Sequence, residues 1–140
     1  MISAVLDTNV LASGTLVAFT PPGQILNAWR ANEFELVLSE HIIGELTRTL
    51  QKPYFQNHVT SQKIVSFIDL LQNEATIISI TVNIEGVATH PEDDLVLATA
   101  VSAKVDYLVT GDKPLIEKIG DSYHKINLVT PANFLQILKR

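Results

Sequence analysis

The 140-residue sequence contains no cysteine. Disulfide bonds and thiolate metal sites are therefore excluded, and any metal ion would have to be held by oxygen or imidazole ligands. No apolar run approaches the roughly 20 residues that a membrane-spanning helix needs. A basic amino-terminal region followed by an apolar one is also missing, because Met1 leads straight into an apolar segment. These absences predict a cytoplasmic protein that has no membrane partner.

Basic residues are scarce. The chain has 10 Lys and Arg residues against 15 Asp and Glu residues, a formal net charge of −5, which argues against a protein that coats nucleic acid with a basic face. This balance leaves open a nuclease whose divalent cations reverse the local charge. Charged residues make up only 18% of the chain and hydrophobic residues 46%, so disorder is excluded and one compact domain over residues 1–140 is expected.

Apolar runs with the character of strands alternate with segments that have helical periodicity. We predict strands at residues 2–6, 35–38, 75–80, 106–110 and 126–129. Helices are predicted at residues 24–31, 40–50, 61–73, 95–104 and 114–119, with a last helix beginning at Thr130 and Pro131. Residues 15–23 read as a loop. This alternation predicts an α/β fold in which a parallel sheet is covered on both faces and joined by right-handed crossovers.

Four acidic residues are expected at the edge where such a sheet binds ligands. Asp7 ends the first strand and Asp112 follows the fourth. Asp93 is followed by apolar residues three, four, seven and eight positions later, so its side chain should begin the buried face of its helix. Glu45 lies beside the apolar stripe of another helix. A charge near a buried face is costly unless a cation accompanies it.

Each acid taken singly has an ordinary structural explanation. Asp93 and Asp94 fit a helix N-cap and a favourable acid in the first turn. Asp112 fits a turn residue, and Glu45 fits a solvated helix residue. His90, before a proline, fits a loop residue. Only the joint arrival of four acids at one sheet edge favours a functional site.

Four segments carry a resemblance to a known family. They are Leu6 to Val10 with its Asp-Thr-Asn, Ser39 to Leu46 with Glu45, Asp93 to Ala100, and Val109 to Asp112. In this order, and over essentially the whole chain, they resemble a PIN domain, most closely the VapC-like toxins of bacterial toxin-antitoxin pairs. The resemblance implies a three-layer α/β/α sandwich with a central five-stranded parallel sheet in the order 3-2-1-4-5. It also implies RNA cleavage dependent on Mg²⁺ or Mn²⁺, a homodimer or higher homo-oligomer, and an antitoxin partner.

The resemblance also assigns residue roles. The catalytic and metal-binding acids would be Asp7, Glu45, Asp93 and Asp112. Asp94 is a less favoured ligand, because the match of Ala98-Thr99-Ala100 to the family pattern selects Asp93. Residues expected to support the acids are Thr8, Asn9 and Thr110.

Other functional classes fit less well. A phosphatase of the haloacid-dehalogenase type would need a second acid where the chain has Asn9. A receiver-like phosphoacceptor would need an Asp at the end of the third strand, where the chain has Ser79 and Ile80. A non-catalytic PIN-like module that binds RNA or protein remains open, although the presence of all four acids favours an enzyme.

Overall fold

The computed structural model of the protein describes residues 1–140. Its strands are β1 (Ser3–Leu6), β2 (Glu35–Ser39), β3 (Thr76–Ile78), β4 (Tyr107–Val109), β5 (Ser122–Tyr123) and β6 (Ile126–Val129). The first four helices are α1 (Thr8–Gly14), α2 (Pro21–Arg30), α3 (Glu40–Leu50) and α4 (Pro53–Gln56). The others are α5 (Ser61–Glu74), α6 (Pro91–Ala103), α7 (Lys113–Ile119) and α8 (Pro131–Leu138). None of these helices combines the length and the apolar character required to cross a membrane.

The strands form one sheet in the order β3-β2-β1-β4-β6-β5. All neighbouring pairs are parallel except β5 and β6. The five parallel strands therefore follow the expected order 3-2-1-4-5, which confirms the predicted α/β fold. The structure adds one strand that was not predicted, the short β5, which pairs antiparallel with β6 at the edge of the sheet.

Strand β1 is the centre of the sheet and is covered on both faces. Ala4, Val5 and Leu6 are completely buried. Successive side chains of a strand point to opposite faces, so both faces of β1 must be covered by helices. On one of them α6 packs against β1, β2, β3 and β4. This arrangement is the expected three-layer sandwich.

Several predicted boundaries are wrong. Helix α1 was not expected, since it begins one residue after β1 and leaves no loop between strand and helix. Helix α6 begins at Pro91 rather than at Leu95, with proline in the first position, where its missing N–H costs nothing. The predicted third strand ends at Ile78 rather than at Ile80. Helix α2 begins at Pro21, within the predicted loop.

Candidate active site

Asp7 directly follows β1 and caps α1. Its N–H donates to the carbonyl of Val109 at 3.0 Å, which continues the pairing of β1 with β4. Its Oδ1 accepts from the N–H of Val10 at 2.9 Å, which anchors the carboxylate at the start of the helix. The sheet and the helix therefore both fix this carboxylate, leaving little freedom in where it points.

The surroundings of Asp7 disfavour its charged form. Burial raises the pKa of Asp7 to about 6, and it is the largest influence. Hydrogen bonds from the Thr110 hydroxyl and the Val10 N–H oppose the rise, while the charges of Asp93 and Asp112 add to it. The pKa of Asp7 is therefore sensitive to two other predicted acids.

Asp112 follows β4 and caps α7. Its Oδ1 accepts from the N–H of Leu115 at 3.2 Å, and its own N–H donates to Thr110 Oγ1 at 3.1 Å. Thr110 is completely buried. Because the Thr110 hydroxyl also hydrogen-bonds to Asp7, this single side chain contacts the acids that follow β1 and β4.

Asp93 lies in the first turn of α6 and is partly exposed. Burial raises its pKa, and the charge of Asp112 raises it further. His90 lowers the pKa of Asp93, whereas Glu45 and Glu92 raise it. The charges of Asp93 and Asp112 also raise the pKa of Asp7. All four predicted acids therefore belong to one group of interacting charges.

Glu45 projects from α3 with 17% of its side chain exposed. Its Oε2 is buried and has no hydrogen-bond partner. The nearest basic group is His41 Nε2 at 3.8 Å, one turn earlier on the same helix, which is too far for a hydrogen bond. A buried carboxylate oxygen without a donor is costly, and a cation or a water molecule would satisfy it.

The expected supporting residues differ in their contacts. Thr110 makes the contacts described above. The Thr8 hydroxyl is buried without a hydrogen-bond partner, and Asn9 is exposed. Their roles in supporting the acids stay predictions. His41 was not singled out from the sequence, although its spacing of four residues before Glu45 is the one that places two side chains on the same helix face.

Asp94 has a different environment from Asp93. It is 6% exposed, and its carboxylate accepts from the N–H groups of Gly86, Val87 and Ala88 at 3.0, 3.1 and 2.7 Å. The expectation that Asp93 begins the buried face of its helix is wrong, since Asp94 is the more buried of the two. The physical reason is that the loop before α6 folds back onto Asp94.

A cleft of about 340 Å³ opens beside Asp112. Its lining residues are Asn9, Val10, Ser13, Pro22, Gly111, Asp112 and Pro131. Only one of these seven is hydrophobic, so the cleft suits a polar ligand or water. It places Asn9 beside Asp112 on one surface.

The donor chemistry fits a hard divalent cation. No group of three or more His, Cys, Asp or Glu side chains is gathered as a ready-made metal cage. Mg²⁺ in proteins commonly keeps several waters and takes one or two carboxylates, so it does not require such a cage. The unpartnered oxygen of Glu45 and the mutual repulsion of the acids are both features that a cation would relieve.

The protein is an α/β protein with carboxylates at the ends of its central strands. Comparison with known families identifies its family. A family model described as "PIN domain" matches residues 3–114. The chain therefore belongs to the PIN domain family, which confirms the resemblance seen in the sequence. A search of curated proteins found no match.

Two solved structures are similar in fold. One is the crystal structure of VapBC2 from Rickettsia felis bound to a DNA fragment from their promoter, with a TM-score of 0.63 and 15% identity, covering 92% of this chain and 98% of that one. The other is the crystal structure of FitAcB from Neisseria gonorrhoeae, with a TM-score of 0.54 and 14% identity, covering 92% of this chain and 98% of that one. At these identities the comparison supports the fold alone.

Asp94→Asn is expected to destabilise the protein by about 1–3 kcal/mol, because one acceptor oxygen is replaced by a donor that faces buried N–H groups. Urea unfolding without metal measures this change. Glu92→Gln, an exposed acid in the same helix turn, is the control and should change stability by less than about 0.5 kcal/mol. An Asp94→Asn protein that is as stable as the native one would contradict the structural role of Asp94.

Asp7→Asn is expected to stabilise the metal-free protein above pH 6. The pKa of Asp7 is raised from 3.8 to about 6 on folding, so the native state loses stability as the pH rises through this range, by at most about 3 kcal/mol. Asparagine removes the charge and keeps the acceptor for the Val10 N–H.

The stability difference between Asp7→Asn and the native protein should thus grow between pH 4 and pH 6 and then level off. Urea unfolding across that range measures it, with the exposed Asp69→Asn as the control. A difference that is constant with pH would show that the Asp7 pKa is not raised.

Proposed function

We propose that the protein is a metal-dependent endoribonuclease that uses Mg²⁺ or Mn²⁺, and the toxin of a bacterial toxin-antitoxin pair. The single observation that carries the proposal is the grouping of Asp7, Asp93 and Asp112: the charges of Asp93 and Asp112 raise the pKa of Asp7, and the charge of Asp112 raises the pKa of Asp93. Repelling carboxylates at a partly buried site weaken a fold, and such groups are typical of functional sites. A divalent cation is the ligand that suits them.

The reaction would be hydrolysis of an RNA phosphodiester bond by water. When bound, a divalent ion supplies Lewis-acid chemistry, lowering the pKa of its water and offsetting charge on the phosphoryl oxygens. Asp7 and Asp112 are the most rigid ligands, because each is held at a helix start by a backbone N–H. Asp93 would complete the ligand set from α6.

Glu45 would act differently from the other acids. Its unpartnered Oε2 is available to accept a hydrogen bond from the attacking water and to orient it, or to hold a second ion. Thr110 would keep Asp7 aimed, since its hydroxyl bonds to that carboxylate. Thr8 and Asn9 are proposed as further supporting residues. Two ions held by four acids would change the formal net charge from −5 to −1, which lowers the repulsion of RNA.

Partners form part of the same proposal. The fold is similar to that of VapBC2, which was solved bound to promoter DNA, and this supports an antitoxin partner for the present chain. A homodimer or higher homo-oligomer is proposed because large apolar side chains such as Phe19 and Val65 are 80% and 61% exposed. We place the protein in the cytoplasm.

The alternative is a non-catalytic PIN-like module that binds RNA or protein. The observation in its favour is that no three donors form a ready-made metal cage. The two functions differ in whether RNA is cut when a divalent cation is present.

Incubation of the purified chain with single-stranded RNA and Mn²⁺ should produce cleavage that EDTA abolishes. Asp93→Asn should reduce the rate by more than about 100-fold, beyond the effect of losing a residue that only supports a ligand. The exposed neighbour Glu92→Gln should retain most of the activity. RNA that is bound but not cut in Mn²⁺ would favour the non-catalytic module, and equal activity of Asp93→Asn and the native chain would refute the site.

Melting temperatures provide a test that needs no RNA target. In EDTA, Asp112→Asn should melt above the native protein, because it removes one repelling charge and asparagine remains a good helix cap. Mn²⁺ at about 100 times its Kd should raise the native melting temperature by roughly 10 °C, since the site exists only in the folded state.

The same Mn²⁺ addition should raise the melting temperature of Asp112→Asn by less, because a ligand has been lost. If Asp112→Asn is destabilised in EDTA and gains as much from Mn²⁺ as the native chain, Asp112 is a structural turn residue only.

A further inference from the structure

The two helices that carry Glu45 and Asp93 are joined near the candidate acids by one side chain, His41. Its Nε2 lies 3.3 Å from the carbonyl oxygen of Glu92, in the first turn of α6, and 3.8 Å from Oε2 of Glu45 on α3. The His41 side chain is only 17% exposed, so its ring is held between the two helices.

The chemistry of the two neighbours determines where the hydrogen of the ring lies. A peptide carbonyl oxygen and a carboxylate oxygen are both acceptors, so His41 Nε2 must carry a hydrogen. This N–H donates to the Glu92 carbonyl and leaves the Glu45 carboxylate within electrostatic reach. Glu45 Oε2 accepts no hydrogen bond, and the imidazole of His41 is the basic group that lies beside it.

A second link, between Ser39, which ends β2 and caps α3, and helix α6, lies deeper. Ser39 Oγ and Thr99 Oγ1 are 2.8 Å apart, and both residues are almost fully buried. Thr99 donates its hydroxyl hydrogen to the Leu95 carbonyl, so Ser39 is the donor between the two hydroxyls. This inner link holds the start of α3 against α6, and His41 adds another link that lies beside Glu45 and next to Asp93 in the chain.

We propose that His41 is a positioning residue, which sets the distance between Glu45 and Asp93 by tying the Glu45 helix to the backbone beside Asp93. This inference rests on the proposed function, because it gives His41 a role only if the two acids act on the same ligand. His41 does not bind metal or substrate itself. Its effect passes through the Glu45 carboxylate.

The test is a thermodynamic cycle on Mn²⁺ affinity, measured by calorimetry or by the electron paramagnetic resonance of free Mn²⁺. His41→Phe keeps the size of the ring and removes the donor, and it should weaken Mn²⁺ binding by about 10-fold, as outer residues that orient metal ligands do. His41→Gln keeps an N–H donor at a similar reach and should bind Mn²⁺ within about threefold of the native chain. The matched control, His58→Phe in the exposed connection between α4 and α5, should leave the affinity unchanged.

The cycle is completed with Glu45→Gln. If His41 acts through Glu45, His41→Phe should have almost no further effect on Mn²⁺ affinity in the Glu45→Gln background. Equal effects of His41→Phe in both backgrounds, or equal losses in His41→Phe and His41→Gln, would overturn the inference. Melting in EDTA identifies any folding defect, and His41→Ala replaces His41→Phe in the cycle if the larger side chain prevents folding.

The two proposals fail in different ways. A native chain that binds no Mn²⁺ overturns the proposed function and this inference with it. A native chain that binds Mn²⁺ and cuts RNA, with a His41→Phe variant that binds equally well, overturns only the role of His41.

Discussion

The parallel pairing of β1 with β4 is the interaction on which the candidate site depends. Leu6 lies beside Val109, and the Asp7 N–H extends the ladder to the Val109 carbonyl. Parallel strands end at the same edge, so the residues that follow them, Asp7 and Asp112, are brought together. The Thr110 hydroxyl then reaches both acids.

The sequence was sufficient to predict the parallel strands of the sheet, because the apolar runs that indicate strands are strong. Apolar runs of four to six residues predicted the parallel strands, and the resemblance to a PIN domain implied their order 3-2-1-4-5. The antiparallel β5 escaped prediction, since the turn to β6 uses His124 and Lys125 with positive φ angles of 50° and 67°. Such a hairpin is usually signalled by Asn or Gly, and this chain has neither at those positions.

The candidate site could be predicted only in part, for a physical reason. Asp7 and Asp112 were located by the ends of their strands, which local patterns mark. The difference between Asp93 and Asp94 depends on the loop of Gly86 to Ala88, whose backbone donors reach one acid and not the other. The contact of His41 with Glu92 joins residues 51 positions apart, and no local pattern signals it.

The loop around Asp94 is a small anion-binding concavity of the kind that successive N–H groups form around phosphates and other anions. In this protein the concavity is filled by a carboxylate of the chain itself. On the proposed function, an RNA phosphate that approaches the acids would find no vacant backbone cradle on this loop, and it would have to be recognised by the cation that the neighbouring acids would hold. The recognition of negatively charged ligands would in this way depend on an exchangeable cation rather than on fixed backbone donors.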